Sequence, residues 1–197
     1  AEHAWALLLA CNRQIPLLAD RTRAGSWARA DVELHQLSSQ TIGIIGLGRL
    51  GRMVADYARA FRMHVVAHDP YVTKDQIPCD IQDLSLEELL SKSDHIVLTA
   101  TYSSGDPEIL GREQVLSIKF GSTFINVSRG ELVNEVALVE ALDLGILRAV
   151  GVDVLPGDSN WTFGEQVESA LIEKSRQTNR VLVTPHVGGY AREAVKK

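Results

Sequence analysis

Three side chains of complementary chemistry each follow an apolar run in this chain. Arg129 stands in Ser128-Arg129-Gly130 after the run 122–127, Asp158 lies in the loop beyond the run 149–154, and His186 follows Pro185 after the run 180–184. A guanidinium binds a carboxylate through two charge-assisted hydrogen bonds. An imidazole gives or takes a proton near neutral pH, and a carboxylate beside it holds the ring and balances its charge when protonated. Brought to one place, the three would grip the carboxylate of a 2-keto acid and supply a proton to its keto oxygen as hydride arrives there. Gly188 and Gly189, just after His186, leave room for a close ligand. His3, His35, His64, His68 and His95 have no comparable setting and read as structural or exposed.

The hydride donor is read from TIGIIGLGRLG, residues 41–51. Strand-like residues 42–45 run into Gly46, Gly48 and Gly51, and a helical segment, 52–62, follows. In that context G-x-G-x-x-G marks a dinucleotide pyrophosphate site. Gly46 serves the tight turn, Gly48 the approach of backbone to phosphate, and Gly51 the packing of helix on strand. The helix N-terminus, with Arg49 and Leu50, offers unpaired N–H groups to the anion. Asp69 ends the next strand and follows Gly46 by 23 positions, the spacing of an acid that binds ribose hydroxyls. Its carboxylate would repel a 2′-phosphate, so NAD is expected over NADP. The nicotinamide carries the redox chemistry, and no metal is required.

These residues need a scaffold that sets strand ends side by side. Apolar segments at 42–45, 64–68, 95–99, 122–127, 149–154 and 180–184 alternate with helical ones. Helices are expected over 2–15 and 16–24, from Ser85 with its capping-box partner Glu88, over 111–118, over 134–144 and over 165–177. Met53, Val54, Tyr57, Ala58 and Phe61 mark the apolar face of the helix after the glycine turn. Such alternation calls for an α/β, doubly wound parallel sheet of about six strands with helices on both faces, in the order 3-2-1-4-5-6. Ligands then bind beyond the carboxyl ends of the strands. That rule gathers the glycine turn, Asp69 with Pro70, Ala100 with Thr101, Val127 to Arg129, Asp153, His186 and Gly188 around one cofactor. Residues 1–40 read as two helices and an arm, 41–190 as the sheet core, and 191–197 as the start of a closing helix.

Composition narrows the class. The chain has 197 residues and a net charge of −5, with no basic stripe to neutralise phosphates, which argues against nucleic acid. The longest apolar run, 4–11, is far short of a membrane span. Cys11 and Cys79 lack metal-ligand spacing and read as buried thiols of a reducing cytoplasm. The sequence starts at Ala1 inside a helical pattern, as a piece of a longer protein would.

Taken together, AEHAWALLLA, GIIGLGRLG, HDP, INVSRGELV, GVDV and TPHVGG occur in an order that resembles the NAD-binding domain of the D-isomer-specific 2-hydroxyacid dehydrogenases, over nearly the whole chain. The resemblance implies that Arg129 binds substrate, that His186 is the acid/base, that Asp153 stands near the nicotinamide carboxamide, and that the molecule pairs into a homodimer through this domain. The family's glutamate, five residues after the aspartate of the D-V motif, is Asp158 here, with Glu165 and Glu168 as alternatives. The family's His-x-Pro turn after the third strand is replaced by Thr99-Ala100-Thr101, and the separate substrate domain is expected to lie outside this sequence. A second reading is a NAD-sensing or dimerisation module without turnover.

Overall fold

The computed structural model describes residues 1–27, 32–161 and 167–192. Helices α1 (Glu2–Asn12) and α2 (Ile15–Arg23) come first, broken by Gln14 in the left-handed conformation, with Pro16 in the opening turn of α2. Proline fits there because its missing N–H would have no partner in a first helical turn. Then follow β1 (Thr41–Ile45), α3 (Arg49–Ala60), β2 (His64–His68), β3 (Gln82–Asp83), α4 (Leu86–Lys92), β4 (His95–Leu98), α5 (Arg112–Leu116) and β5 (Ser122–Asn126). The chain continues through α6 (Glu135–Asp143), β6 (Leu147–Val152), α7 (Ala170–Gln177) and β7 (Val181–Val183).

All strand pairs are parallel, in the order β3-β2-β1-β4-β5-β6-β7. The sheet therefore has seven strands where six are expected, because Gln82–Asp83 adds an edge strand beside β2. The segment 95–99, expected as the third strand and so beside β2, is β4 and pairs with β1 instead; the order 3-2-1-4-5-6 is met only with the two-residue edge strand in third place, and β7 extends it. It escapes a sequence reading because it is two polar, exposed residues with no apolar alternation.

Alternate residues of each strand enter different cores. Ile42, Ile44, Val97 and Ile125 pack with Leu8, Val54 and Ala58 under α1 and α3; Ile45, Ile96, Leu98, Phe124 and Val152 pack with Leu89, Val115, Leu138 and Leu171 under α4 to α7. Each fully buried Leu or Ile contributes about 1.5–3 kcal/mol relative to exposure. The face of α3 that packs is Gly51, Val54, Ala55 and Ala58; Met53 and Phe61, expected there, are exposed. Helix ends follow the expected chemistry, with Ser85 and Glu88 exchanging capping bonds and Asn134 accepting from the Ala137 N–H. Helix α7 begins at Ala170, capped by Ser169; Glu165 and Gln166, expected in it, lie outside the described residues, as does most of the expected closing helix. Cys11 is buried, and burial pushes its thiol up to about 12. Cys79, expected buried, is exposed in the loop before β3. None of the described helices is long and apolar enough to cross a membrane.

Candidate active site

The turn between β1 and α3 is built by crowding. Gly46 has φ +94°, and a Cβ there would lie 2.5 Å from the Ala100 nitrogen. At Gly51 a Cβ would lie 2.1 Å from the Gly46 carbonyl oxygen, so helix and strand meet with no space for a methyl group. Gly48 is the opposite case: a Cβ there would meet nothing within 4 Å. The bare backbone at the N-terminus of α3 faces open space, which is what a bound pyrophosphate requires. The residues present thus fit a dinucleotide. Asp69 holds the turn in shape, its carboxylate accepting from the Leu47 N–H at 2.7 Å and the Tyr71 N–H at 2.9 Å.

The Thr99-Ala100 stretch that replaces a His-x-Pro turn is a clamp between two loops. The Thr99 hydroxyl donates to the Gly46 carbonyl at 2.6 Å, and the Ser128 hydroxyl donates to the Ala100 carbonyl. Asn126 then shapes the loop after β5. Its amide oxygen accepts from the Ser128 N–H and its amide nitrogen donates to the Arg129 carbonyl, both at 2.9 Å. Arg129 is exposed at the rim, with one guanidinium nitrogen on the Ser128 carbonyl at 2.7 Å. Gly130 seats this loop on the next, since a Cβ there would lie 2.1 Å from the Leu155 carbonyl carbon.

His186 and Asp158 come together. The His186 Nδ1 lies 3.1 Å from Asp158 Oδ2, and the carboxylate also accepts from the Leu155 N–H at 3.2 Å. The aspartate side chain is 8% exposed and the imidazole 41% exposed, so the acid is sheltered and the ring presents itself to solvent. An ionised aspartate only accepts, so the proton between them belongs to Nδ1, which leaves Nε2 as the outward atom. His186 adopts φ +52°, held by its N–H on the Asp153 carbonyl at 2.8 Å.

Residues 5–188 match the sequence profile of the D-isomer specific 2-hydroxyacid dehydrogenase, NAD binding domain. The chain belongs to this family. It is 36% identical over 195 residues to D-3-phosphoglycerate dehydrogenase of Mycobacterium tuberculosis, covering 98% of this chain and 35% of that one. Against hydroxypyruvate reductase of Thermotoga maritima it is 31% identical over 197 residues, covering 100% of this chain and 61% of the other. Among solved structures, D-lactate dehydrogenase of Aquifex aeolicus complexed with NAD and lactic acid superposes with a TM-score of 0.88 at 28% identity, covering 99% of this chain and 61% of that one. The chain thus spans about a third of the phosphoglycerate dehydrogenases and about three fifths of the other two.

Asp153 is almost wholly buried, and both of its carboxylate oxygens are hydrogen-bonded within its own chain. It accepts from the Thr184 hydroxyl at 2.6 Å and from the N–H groups of Val187 at 3.0 Å and Gly188 at 2.7 Å. His3, expected to be structural or exposed, is hydrogen-bonded at the edge of the site. Its Nε2 lies 2.8 Å from the Thr184 hydroxyl oxygen and 3.1 Å from Asp153 Oδ1. Of the other histidines, His64 is exposed and His68 is hydrogen-bonded to the Leu84 carbonyl at 2.9 Å. His95 is buried and hydrogen-bonded to Gln40 at 2.7 Å, and burial lowers it to about 4. Among the described residues no cluster could hold a metal ion.

Proposed function

We propose that this chain is the coenzyme half of a NAD-dependent dehydrogenase that interconverts a small 2-keto acid and its D-2-hydroxy acid. The observation that carries the reading is the contact of His186 with a sheltered Asp158, on the strand edge that also holds the open glycine turn. Bound at that turn and at Asp69, NAD(H) supplies or accepts the hydride. Gly46, Gly48, Arg49, Leu50, Gly51, Asp69, Pro70, Ala100, Thr101, Val127, Ser128, Asp153 and Gly188 are proposed to line it. Arg129 grips the substrate carboxylate through its planar fork. Protonated His186 donates from Nε2 to the keto oxygen, and in the reverse direction the same nitrogen takes the hydroxyl proton. Asp158 fixes the ring and balances its charge while it is protonated; it takes the place of the family's glutamate.

A homodimer belongs to the same proposal. The groove between α1 and α3 is lined by Trp5, Ala6, Leu9, Tyr57, Ala60 and Phe61, with Glu2 as its one charged residue, and Phe61 is 42% exposed. Such a patch suits a second copy better than water. The cytoplasm is the proposed compartment, where NAD(H) and 2-keto acids are both present.

The test is oxidation of NADH by the complete protein against a panel of 2-keto acids, repeated with NADPH. Turnover of at least one acid, with NADH preferred, supports the proposal. Binding of NAD without turnover of any acid would replace the enzyme with a sensing module, and a preference for NADPH would remove the assigned role of Asp69.

A further inference from the structure

We propose that His3, in the first turn of α1, is a positioning residue for the nicotinamide end of the coenzyme site and acts through Asp153. The proposal rests on the reading that Asp153 faces the coenzyme's carboxamide.

Counting protons gives His3 its role. The Thr184 hydroxyl has one hydrogen, and it goes to Asp153 Oδ1, an ionised acceptor 2.6 Å away with no hydrogen of its own. From His3, therefore, both nearby atoms are acceptors: Thr184 Oγ1 at 2.8 Å and Asp153 Oδ1 at 3.1 Å. The His3 Nε2 must carry a hydrogen, shared between them. Oδ1 then receives three donors, from Thr184, Val187 and His3, and has no acceptor capacity left. Oδ2 receives the Gly188 N–H alone and keeps one acceptor position. That position is what Asp153 has to offer an amide N–H.

Close packing keeps the arrangement in place. A Cβ at Gly188 would lie 2.8 Å from Asp153 Oδ2 and 3.3 Å from the His3 ring, so ring, carboxylate and loop backbone fill the space between them. His3 is 181 positions from Thr184 in sequence, and its bond ties the first turn of α1 to the segment that carries His186. Loss of the imidazole frees Oδ1 to seek another donor and lets the carboxylate rotate. Turning Oδ2 away weakens the coenzyme only at its nicotinamide end.

Calorimetric titration of the complete protein with NAD+ and with ADP-ribose, which lacks the nicotinamide, separates this role from general packing. His3→Leu is expected to weaken NAD+ about tenfold, the worth of one hydrogen bond to a charged group, and to leave ADP-ribose within about twofold. His3→Gln, whose amide can set an N–H near the place of Nε2, is expected to bring NAD+ back within about threefold. Equal loss of both ligands, or no loss of either, overturns the proposal. Should His3→Leu not fold, nitrogen NMR of the wild-type imidazole decides: a proton on Nε2 is required, and a ring protonated on Nδ1 alone overturns it. A wild-type protein that binds ADP-ribose but gains nothing from the nicotinamide removes the underlying reading of Asp153 as well, which keeps the two failures apart.

Discussion

The two ends of the site are specified in opposite ways. At the pyrophosphate end, between β1 and α3, what counts is missing side chains: Gly46 and Gly51 are squeezed by backbone, and Gly48 opens on empty space. At the proposed catalytic end, beyond β5, β6 and β7, what counts is paired side chains: His186 on Asp158, Asp153 on Thr184, and His3 on both of the latter. The first end is one contiguous turn, seated against Thr99 and Ala100 and held by Asp69. The second is assembled from three loops and a helix far apart in sequence. A change at Gly48 thus stays local, whereas a change in any one loop of the assembled end is felt by the others.

The largest effect is expected where the chemistry is. His186→Gln should lower turnover on the order of 10²- to 10⁴-fold in a steady-state assay of the complete protein while the NAD affinity stays near wild type. Unchanged turnover would remove His186 from the mechanism.

Next comes the strand that divides the two ends. His95 opens β4, whose other end feeds Thr99 and Ala100 into both loops. Burial holds it at about 4, below its ordinary 6.5, so between these values the unfolded chain takes up a proton that the folded one does not. This stability is fully present above pH 6.5 and is lost as the pH falls through 4, on the order of 3 kcal/mol in all. Urea unfolding at pH 7 and pH 4.5 measures it, and His95→Gln should flatten that dependence.

Two glycine changes then set the ends against each other. Gly130→Ala drives a methyl group into the backbone of Leu155 and should destabilise by about 1–3 kcal/mol, lowering turnover more than NAD affinity. Gly48→Ala meets nothing and should leave the unfolding midpoint unchanged, yet weaken NAD about tenfold by obstructing the phosphates. If Gly48→Ala lost stability and kept NAD affinity, the contrast between the ends would fail.

Legibility in the sequence follows the same division. The glycine turn, the capping pair Ser85 and Glu88, and the Asn134 cap are local patterns, and the structure has them where they are expected. The pairing of Asp158 with His186 was readable only as two residues on neighbouring strand ends; their contact depends on how the 155–161 loop turns, which spacing does not encode. His3 was invisible because its partners lie at the far end of the chain, and the edge strand because pairing with β2, not its own composition, makes it a strand. Phe61 and Met53 misled because apolar residues at helical spacing mark a sticky face without saying what covers it.

The backbone of His186 carries a last consequence. At φ +52° it holds a conformation that glycine or asparagine adopts with less strain, and a β-carbon there costs about 1 kcal/mol. Directed evolution for heat resistance alone would drift toward glycine at this position and produce a sturdier, silent protein. On the proposed mechanism the histidine there favours reactivity over robustness, and its retention among thermostable variants would serve as a marker that turnover was still under selection.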